Sequence, residues 1–391
     1  MQKQLSINPK QDKIQSSPEF HPLSKKPTID LDKIIESEEK KDDEPEYRQI
    51  NRVDIESFEL DEGTKVINGE LRLYEKIGYG GFCKVYKALV TYIDEDDGEI
   101  VNKEMAVKNF NKHTLHKTYT RFDKNGQIEN ASQLDKIYEE IDVWERLEHE
   151  KLCRIFCLYE DDDQMYLVMQ YCEHGTILNY QEDKQNPNNK NFVRNKKVHE
   201  LAREQVDLKY LGIYKYSEEE EIAKYLFRQV AIALQYLHND AKVAHRDIKP
   251  ENILYIYEDL VKVSDFTLAM RIESEDECVY GQEGTIYYLP PESLAYEKYK
   301  PKPMDIWAFG VSLYNYLTLK QPFFGELEEE IKNRILNEEP QYFDWFSDDL
   351  KDLLKKVLEK DPNKRLDING VLDHIWMQNE PEEEFEEEAE A

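Results

Sequence analysis

Several short segments between residues 66 and 171 alternate apolar and polar residues, which is typical of half-buried strands. Order is expected to begin near Val66, and residues 71–77 show the alternation. Further strands are predicted at 82–90, 104–110, 152–158 and 165–171. Apolar residues recur at helical spacing at Leu134, Ile137, Ile141, Trp144 and Leu147. The pattern therefore predicts a small antiparallel sheet with one helix.

The periodicity changes after Gly175 to the spacing of helices. Ser217 and the glutamates that follow form an N-cap and an acidic first turn, which stabilise the start of a helix. Residues 306–319 are apolar on all sides, so we expect a buried central helix there. Residues 111–132 and 181–216 are polar and irregular, and we expect surface inserts. The second part is therefore mainly helical, and the fold class is α+β.

The two ends of the chain differ in composition from its centre. Residues 1–60 are polar and are predicted to be a disordered extension. Residues 380–391 contain eight Glu and no Lys or Arg, so 379–391 is predicted to be an acidic disordered tail. This tail is a candidate site for a basic partner, with a merely solubilising end as the competing interpretation. The folded domain is expected over 66–378.

The 391 residues carry 52 Lys and Arg against 83 Asp and Glu, a formal charge of −31. This acid excess argues against nucleic acid as a partner, because phosphate would be repelled, and it favours basic partners. No apolar run is long enough to cross a bilayer, so no membrane partner is expected. The five cysteines fit neither a disulfide framework nor a zinc spacing, so we expect a reduced cytoplasmic protein.

Glycines cluster in the turn between the first two of these strands. Ile77 precedes Gly78, Gly80 and Gly81. Glycines in a hairpin turn let backbone N–H groups approach a polyphosphate without a side-chain clash. A simple tight turn is the competing interpretation, and it would stand if no further motif followed.

Lys108 follows on the third predicted strand, flanked by apolar positions. It is either a solvated edge residue or a lysine that reaches into a cleft to bind phosphate oxygens. In the second case the buried ammonium needs a carboxylate partner. Glu140 on the predicted helix is the candidate because it adjoins Ile141, and Glu139 is the competing choice.

Two polar segments in the second half carry groups suited to phosphate chemistry. In residues 245–254, Asp247 can accept a hydroxyl proton and Lys249 can neutralise a transferring phosphate. Asn252 in the same segment can hold a metal. Asp265 ends a short predicted strand and can ligate Mg²⁺, a hard ion that favours carboxylate oxygen. Either segment alone fits an ordinary polar loop, whereas the ordered set of motifs does not.

Together these motifs resemble eukaryotic protein kinases, and the resemblance covers about residues 66–378. It implies a two-lobed fold with a β-rich lobe over 66–170, a helical lobe over 171–378, and ATP and Mg²⁺ between them. Besides the glycine turn and Lys108, the positions implied for the nucleotide are Val85, Ala106, Met169, Gln170, Cys172, Leu254 and Asp265. Asn252 and Asp265 would hold Mg²⁺.

The resemblance also gives roles to residues outside the nucleotide site. Residues 245–254 correspond to the catalytic loop of the family, and Asp305 is expected to brace it. Glu292 is expected to pair with Arg365.

The same resemblance implies a substrate class and a subgroup of kinases. Lys249 and Thr285 resemble serine/threonine kinases, and Glu251 resembles the residue that binds an upstream arginine in kinases with basic substrates. The competing interpretation is that Glu251 only solvates the rim of the cleft. The subgroup match is to the calcium/calmodulin-dependent kinases, especially their kinase-kinases, because an insert precedes the predicted helix. The acidic end is unlike a basic calmodulin target, so calmodulin is not predicted as a partner.

Three positions depart from the family pattern. Cys83 replaces a glycine and places a thiol near the phosphates, and Thr176 replaces a ribose-binding glutamate. Thr267 stands where glycine is expected, and a β-branched residue there either locks or spoils the active arrangement. The leading interpretation is an active serine/threonine kinase. The alternative is a pseudokinase scaffold that binds nucleotide or partners without efficient transfer.

The activation segment is expected to run from Asp265 to Glu292. The resemblance implies that Arg246 receives a phosphate from this segment, with Ser274 and Tyr280 as candidate acceptors. We expect a fixed carboxylate to dock near Arg246 instead, and the candidates are Glu273, Glu275, Asp276 and Glu277. A solvated acidic loop is the competing interpretation.

Overall fold

The structure is a computed structural model that describes residues 50–61, 63–93, 100–122, 128–182, 190–206, 216–257, 260–295 and 298–378. The ends predicted to be disordered fall outside the described residues at 1–49 and 379–391. The described part forms a sheet-rich amino-terminal lobe and a larger helical lobe, as the sequence predicts.

The amino-terminal lobe is built on one eight-stranded sheet. The strands of this part of the chain are β1 (Asn51–Asp54), β2 (Phe58–Asp61), β3 (Thr64–Ile67), β4 (Leu71–Tyr79), β5 (Cys83–Ile93), β6 (Ile100–Asn111), β7 (Thr118–Phe122), β8 (Ile128–Ser132), β9 (Ile155–Glu160) and β10 (Gln164–Gln170). The order across the sheet is β1-β9-β10-β6-β5-β4-β3-β2. Strand β1 is parallel to β9, and the other neighbours are antiparallel.

Regular structure begins earlier than the sequence predicts, because β1 and β2 lie within the segment 1–60. All four side chains of β2 are exposed, and β1 buries Val53 among three exposed neighbours. Strand β1 has no apolar alternation, and β2 alternates Phe58 and Leu60 with Glu59 and Asp61 over four residues only, so neither was recognised in the sequence. Ile50, just before β1, is also buried, and its N–H donates to the carboxylate of Glu145 at 3.4 Å.

Two helices belong to this lobe, α1 (Lys112–Leu115) and α2 (Gln133–Trp144). Helix α2 begins with a capping box, in which Ser132 and Asp135 each accept a hydrogen bond from the other's backbone N–H. Ile137 and Ile141 face the core. Glu140 is buried beside them whereas Glu139 is exposed, so the helix turns the predicted carboxylate inward.

Helices dominate the second lobe. They are α3 (Lys196–Glu204), α4 (Glu218–Gln235), α5 (Pro291–Leu294), α6 (Pro301–Thr318), α7 (Glu328–Asn337), α8 (Asp348–Val357) and α9 (Ile368–Leu372). A π-helical turn, Tyr236–Asp240, continues α4, and short 3₁₀ turns lie at Pro250–Asn252, Ile286–Tyr288 and Ile375–Met377. The small strands are β11 (Gly175–Thr176), β12 (Leu178–Glu182), β13 (Lys190–Arg194), β14 (Val243–Ala244), β15 (Ile253–Tyr255), β16 (Val261–Val263) and β17 (Met270–Arg271).

Helix α6 is the buried centre of this lobe, as its apolar sequence predicts. Every residue from Met304 to Leu317 is buried. A Cβ on Gly310 would lie 2.6 Å from Cγ2 of Val357 on α8, so glycine allows these two helices to approach closely.

The two segments expected to be irregular inserts contain regular structure. Strands β7 and β8 form one antiparallel hairpin, and β12 and β13 form another. Both hairpins are rich in polar residues, so no apolar period reveals them in the sequence. None of the helices in the described ranges is long and apolar enough to cross a membrane.

Candidate active site

The glycine turn joins β4 to β5. The N–H of Gly80 donates to the carbonyl of Cys83 at 2.9 Å, which closes the turn. A Cβ on Gly81 would meet open space, whereas one on Gly80 would lie 2.7 Å from the thiol of Cys83. Gly78 lies against Val85. The turn therefore exposes backbone with room for a phosphate chain. Burial raises the pKa of the Cys83 thiol, which argues against a reactive thiolate at this position.

Lys108 joins three elements at the centre of the site. Its Nζ lies 2.9 Å from Oε1 of Glu140 on α2 and 2.9 Å from Oδ1 of Asp265, which follows β16. The lysine side chain is 8% exposed and that of Glu140 is 1% exposed, whereas Asp265 is 33% exposed. The pair predicted from sequence spacing is therefore formed, and it extends to a second carboxylate that faces solvent more openly.

The three charges of this cluster shift one another's pKa values. Burial would lower the pKa of Lys108, but Asp265 and Glu140 outweigh it and raise that pKa above its usual value. Burial would raise the pKa of Asp265, but Lys108 and Thr267 lower it well below its usual range. Burial raises the pKa of Glu140 against the opposing effect of Lys108. Asp265 is thus the carboxylate most firmly held in its ionised form.

Thr267 contributes a direct contact at the position where the family has glycine. Its hydroxyl donates to Oδ1 of Asp265 at 2.6 Å, the same oxygen that Lys108 contacts. Among the described residues with positive φ, Asp265 itself appears at 67° and Thr267 does not. The backbone therefore avoids the conformation that a β-branched residue resists.

Asp247 lies in a hydrogen-bond network within residues 245–254, the segment that resembles the catalytic loop of the family. Lys249 Nζ donates to its Oδ2 at 2.6 Å, and Asn252 Nδ2 donates to the same oxygen at 3.1 Å and to its backbone carbonyl at 2.8 Å. Burial raises the pKa of Asp247 although Lys249 opposes the shift. Burial would lower the pKa of Lys249, but Asp247 raises it, so the lysine stays cationic. The aspartate is thus fixed beside a cation that can also meet a phosphate.

The donor set suits Mg²⁺ bound together with a polyphosphate. The backbone carbonyl of Asn252 accepts from the N–H of Ser264 at 2.9 Å, which places Asn252 next to Asp265. With its amide nitrogen directed at Asp247, the amide oxygen of Asn252 is the atom that would bind a metal. In the described ranges no cluster of three or more His, Cys, Asp or Glu side chains could hold a metal ion. A pair of oxygen ligands fits Mg²⁺, which keeps waters and shares substrate phosphates rather than using an all-protein cage.

The apolar residues that the resemblance implies for the adenine belong to one core cluster or pack against it. Ala106, Met169 and Cys172 are buried in the core cluster that runs through both lobes, and Val85 and Leu254 pack against it. The N–H of Gln170 already donates to the carbonyl of Arg154 at 2.8 Å, and its own carbonyl accepts from the thiol of Cys153 at 3.6 Å, so only the second lone pair of that carbonyl can accept from adenine. The Thr176 hydroxyl donates to the carbonyl of Leu178 at 2.7 Å and can therefore only accept from a ribose.

Helix α6 holds the catalytic loop through the side chain of Asp305. Asp305 accepts from the N–H of His245 at 2.9 Å and of Arg246 at 2.6 Å. These bonds hold Arg246 at φ 65°, a conformation that is uncommon outside glycine. Phe266 packs with ring-centroid distances of 4.9 Å to His245 and 5.2 Å to Trp144 of α2. A continuous stack therefore connects the catalytic loop to the helix that carries Glu140.

Arg365 and Glu292 form a second predicted pair. NH1 of Arg365 lies 2.7 Å from Oε1 of Glu292, and NH2 lies 2.9 Å from Oε2. The arginine side chain is fully buried, so this bidentate pair anchors the end of the activation segment to the helical lobe.

The carboxylate that reaches Arg246 is not one of the four expected from the sequence. Glu275 pairs with Lys302, Asp276 with Lys300, and the Glu277 carboxylate accepts from the N–H of Glu273. Glu275, Asp276 and Glu277 thus have local partners, and the prediction that one of the four acids docks at Arg246 is wrong because another carboxylate pairs with it. Glu283 occupies the position instead, with its Oε2 2.9 Å from NH2 of Arg246. Its only signal in the sequence is that it precedes Gly284 and Thr285.

The structure thus brings together the glycine turn, Lys108, Glu140, Asp247, Lys249, Asn252 and Asp265. Comparison with protein families gives one match that covers most of the chain. The family described as "protein kinase domain" matches residues 71–377.

Three curated proteins illustrate the similarity. A probable serine/threonine-protein kinase of Dictyostelium discoideum is 29% identical over 322 residues, which are 81% of this chain and 39% of that protein. Aurora kinase A-B of Xenopus laevis is 31% identical over 251 residues, or 64% and 53% of the two chains. Serine/threonine-protein kinase ULK3 of Homo sapiens is 27% identical over 311 residues, or 78% and 54%. The aligned part is therefore about half of each relative, or less.

Proposed function

The chain belongs to the protein kinase domain family, and from this premise we propose that it transfers the γ-phosphate of ATP to serine and threonine hydroxyls of proteins. The observation that carries the proposal is the bridge from Glu140 through Lys108 to Asp265, with both distances at 2.9 Å. This bridge joins the helix of one lobe to the metal-binding aspartate of the other. The serine/threonine class is supported by the names of the relatives and by Lys249 two residues after Asp247.

Each group has a distinct task in this proposal. Lys108, fixed by Glu140, orients the α- and β-phosphates, and the backbone of the glycine turn covers them. Asp265 and Asn252 would hold Mg²⁺, which neutralises charge on the phosphates. Asp247 orients the acceptor hydroxyl and takes its proton. Lys249 offsets charge on the γ-phosphate, so catalysis consists mainly of positioning and charge neutralisation.

Substrates with basic residues near the acceptor are the proposed class. Glu251 lies in the 3₁₀ turn Pro250–Asn252 and contributes to the electrostatic field at Lys249. An upstream arginine would meet a carboxylate there, and the overall charge of −31 attracts basic peptides. The competing role of Glu251 is solvation of the rim. A Glu251→Gln variant that keeps the wild-type preference on arginine-containing peptides would favour that second role.

The pseudokinase scaffold is the second candidate function, because Thr267 departs from the glycine that the family has at this position. The contact that Thr267 makes favours the enzyme, because its hydroxyl donates to Asp265 and lowers the pKa of that carboxylate.

Labelled ATP, Mg²⁺ and a peptide array with Ser, Thr and Tyr acceptors test the proposal. The wild-type protein should label Ser and Thr peptides, and Asp247→Asn should abolish transfer while ATP affinity changes little. Glu277→Gln, a change within the activation segment and away from the phosphates, serves as the matched control. Transfer by Asp247→Asn at the wild-type rate would refute the role of Asp247. Nucleotide binding without transfer by the wild type would establish the scaffold.

Finer features of the protein belong to the same proposal. We place it near the calcium/calmodulin-dependent kinase group because of the insert between Lys108 and Glu140, which contains the β7–β8 hairpin. We propose no dependence on calmodulin, a basic partner for the acidic tail 379–391, and a cytoplasmic location. Removal of residues 380–391 tests the tail through loss of co-purifying basic proteins.

A further inference from the structure

We propose that Glu283 is a positioning residue that holds the site in its transfer arrangement without a phosphate on the activation segment. This inference rests on the proposed function and specifies how that same site is regulated. The contact set Arg246–Glu283–Lys136, called here the Glu283 bridge, carries it.

Each oxygen of Glu283 meets a different cation. Oε2 accepts from NH2 of Arg246 at 2.9 Å, and Oε1 accepts from Nζ of Lys136 at 2.9 Å. Arg246 directly precedes Asp247, and Lys136 lies one helical turn before Glu140 on α2. One carboxylate of the activation segment therefore joins the loop that carries the catalytic aspartate to the helix that orients Lys108.

Burial makes these contacts stronger than ordinary surface ion pairs. The side chains of Arg246, Lys136 and Glu283 are 9%, 18% and 33% exposed. Charge-assisted hydrogen bonds in such surroundings are roughly twice as strong as neutral ones. Burial disfavours the ionised form of Glu283, yet Arg246 and Lys136 lower its pKa below the usual value, so the carboxylate stays charged.

The backbone conformation of Gly284, the next residue, helps to place Glu283 beside Arg246. Gly284 has φ +118°, which side chains rarely permit, and a Cβ there would lie 3.3 Å from Leu289 and 3.7 Å from the carbonyl of Arg246. The other terminal nitrogen of Arg246, NH1, donates to the carbonyl of Leu268 at 3.3 Å. Arg246 thus binds the start of the activation segment as well as the part near its end.

A phosphate on the segment would have to displace this bridge. Ser274 and Tyr280 lie before Glu283, and Asp276 and Glu275 near Ser274 pair with Lys300 and Lys302. Because the cations of the bridge already face a carboxylate that is ionised at neutral pH, the segment does not require modification to neutralise them. The expected result is activity that is independent of phosphorylation of the segment.

The test compares variants of the full chain after phosphatase treatment, with intact mass used to verify that phosphate is absent. Dephosphorylated wild type should keep kcat/KM within about twofold of the untreated protein. Glu283→Gln should lose about 10- to 100-fold, because charge-assisted hydrogen bonds to two cations are lost. Glu275→Gln is the matched control, since it removes an exposed ion pair of the same segment, and its kcat/KM should stay within about twofold.

Lys136→Met removes the bridge on the helix side only and serves as a second variant if Glu283→Gln fails to fold. It should raise the KM for ATP more than it lowers kcat, because Lys136 acts through Glu140 and Lys108. A merely structural defect would lower the active fraction, so kcat would fall while KM stayed constant. The double variant should be no worse than Glu283→Gln alone.

Two results would overturn the inference while leaving the enzyme intact. One is loss of wild-type activity on dephosphorylation, and the other is a Glu283→Gln variant as active as the wild type. If the wild type transfers no phosphate at all, the proposed function fails. The Glu283 bridge is then tested by the affinity of the protein for Mg²⁺ together with a non-hydrolysable ATP analogue. In that case, wild-type affinity in Glu283→Gln overturns the bridge, and weakened affinity supports it.

Discussion

Replacing Thr267 with valine removes the hydroxyl that donates to Asp265 and keeps the branched shape of the side chain. The hydroxyl lies 2.6 Å from Oδ1 of Asp265, and Lys108 lies 2.9 Å from the same oxygen. The variant therefore loses one of two groups that hold the aspartate, without loss of volume. Serine at the same position keeps the hydroxyl and removes only the methyl group, so Thr267→Ser is the matched control.

The size of the effect follows from the charge of the acceptor and the exposure of the site. A hydrogen bond to a charged group contributes about 1.5–3 kcal/mol. Asp265 is 33% exposed and Lys108 remains in place, so about 1–2 kcal/mol is a reasonable expectation. This free energy corresponds to roughly 5- to 30-fold weaker binding of Mg²⁺ with nucleotide.

The assay is competition binding of ATP at a series of Mg²⁺ concentrations, followed by kcat/KM on a peptide substrate. Thr267→Val should need more Mg²⁺ to reach half-saturation, whereas Thr267→Ser should remain close to the wild type. If valine and threonine proteins show equal Mg²⁺ dependence, the hydroxyl does not position Asp265. A gain of activity in Thr267→Val would show that the threonine restrains the site.

Two further predictions concern proton transfer and folding. Because burial raises the pKa of Asp247, the acid limb of kcat/KM should lie above the ordinary aspartate value of 3.8, and Lys249→Met should move that limb to higher pH by removing a cation that opposes protonation. A limb that stays in place in the variant's residual activity would contradict this. Arg365→Lys cannot form the two-pronged pair with Glu292, so the free energy of unfolding should fall by about 1–3 kcal/mol in denaturant titrations. Lys364→Met, which removes an exposed pair with Asp361 next in sequence, should change it by less than about 0.5 kcal/mol, and equal effects of the two changes would contradict the role of burial.

The core of the site could be predicted because each of its residues lies in a local pattern with its own meaning. Lys108 is on an apolar strand, Asp265 ends another strand, and Asp247 and Asn252 share a short loop. The choice of Glu140 over Glu139 also followed from local information, since the apolar stripe of α2 shows which face is buried.

Glu283 could not be predicted in the same way, because its partners come from distant parts of the chain. Lys136 lies 147 positions away and Arg246 lies 37 positions away. The acids at 273–277 are denser and led to the prediction, yet two of them, Glu275 and Asp276, pair with Lys302 and Lys300 on the surface. Charge density in a sequence therefore does not indicate which carboxylate a folded segment turns inward.

The hairpins and the first two strands were missed for a different reason. Apolar alternation marks a strand reliably only when it extends over several residues, whereas β1 contains the single apolar residue Val53 and β2 alternates over only four residues. Backbone hydrogen bonds stabilise such a strand, and these bonds alone do not select particular residue types that a sequence analysis could recognise.

Strand β1 has a practical consequence for anyone who shortens this protein. It covers the outer side of β9, whose residues Ile155 to Tyr159 are all buried. A fragment that starts at Val66 lacks β1, so the N–H and C=O groups of β9 that pair with β1 lose their partners. An unpaired apolar edge strand is a template for self-association. Shortened versions that begin before Ile50 should stay monodisperse in solution, and those that begin after Asp54 should precipitate.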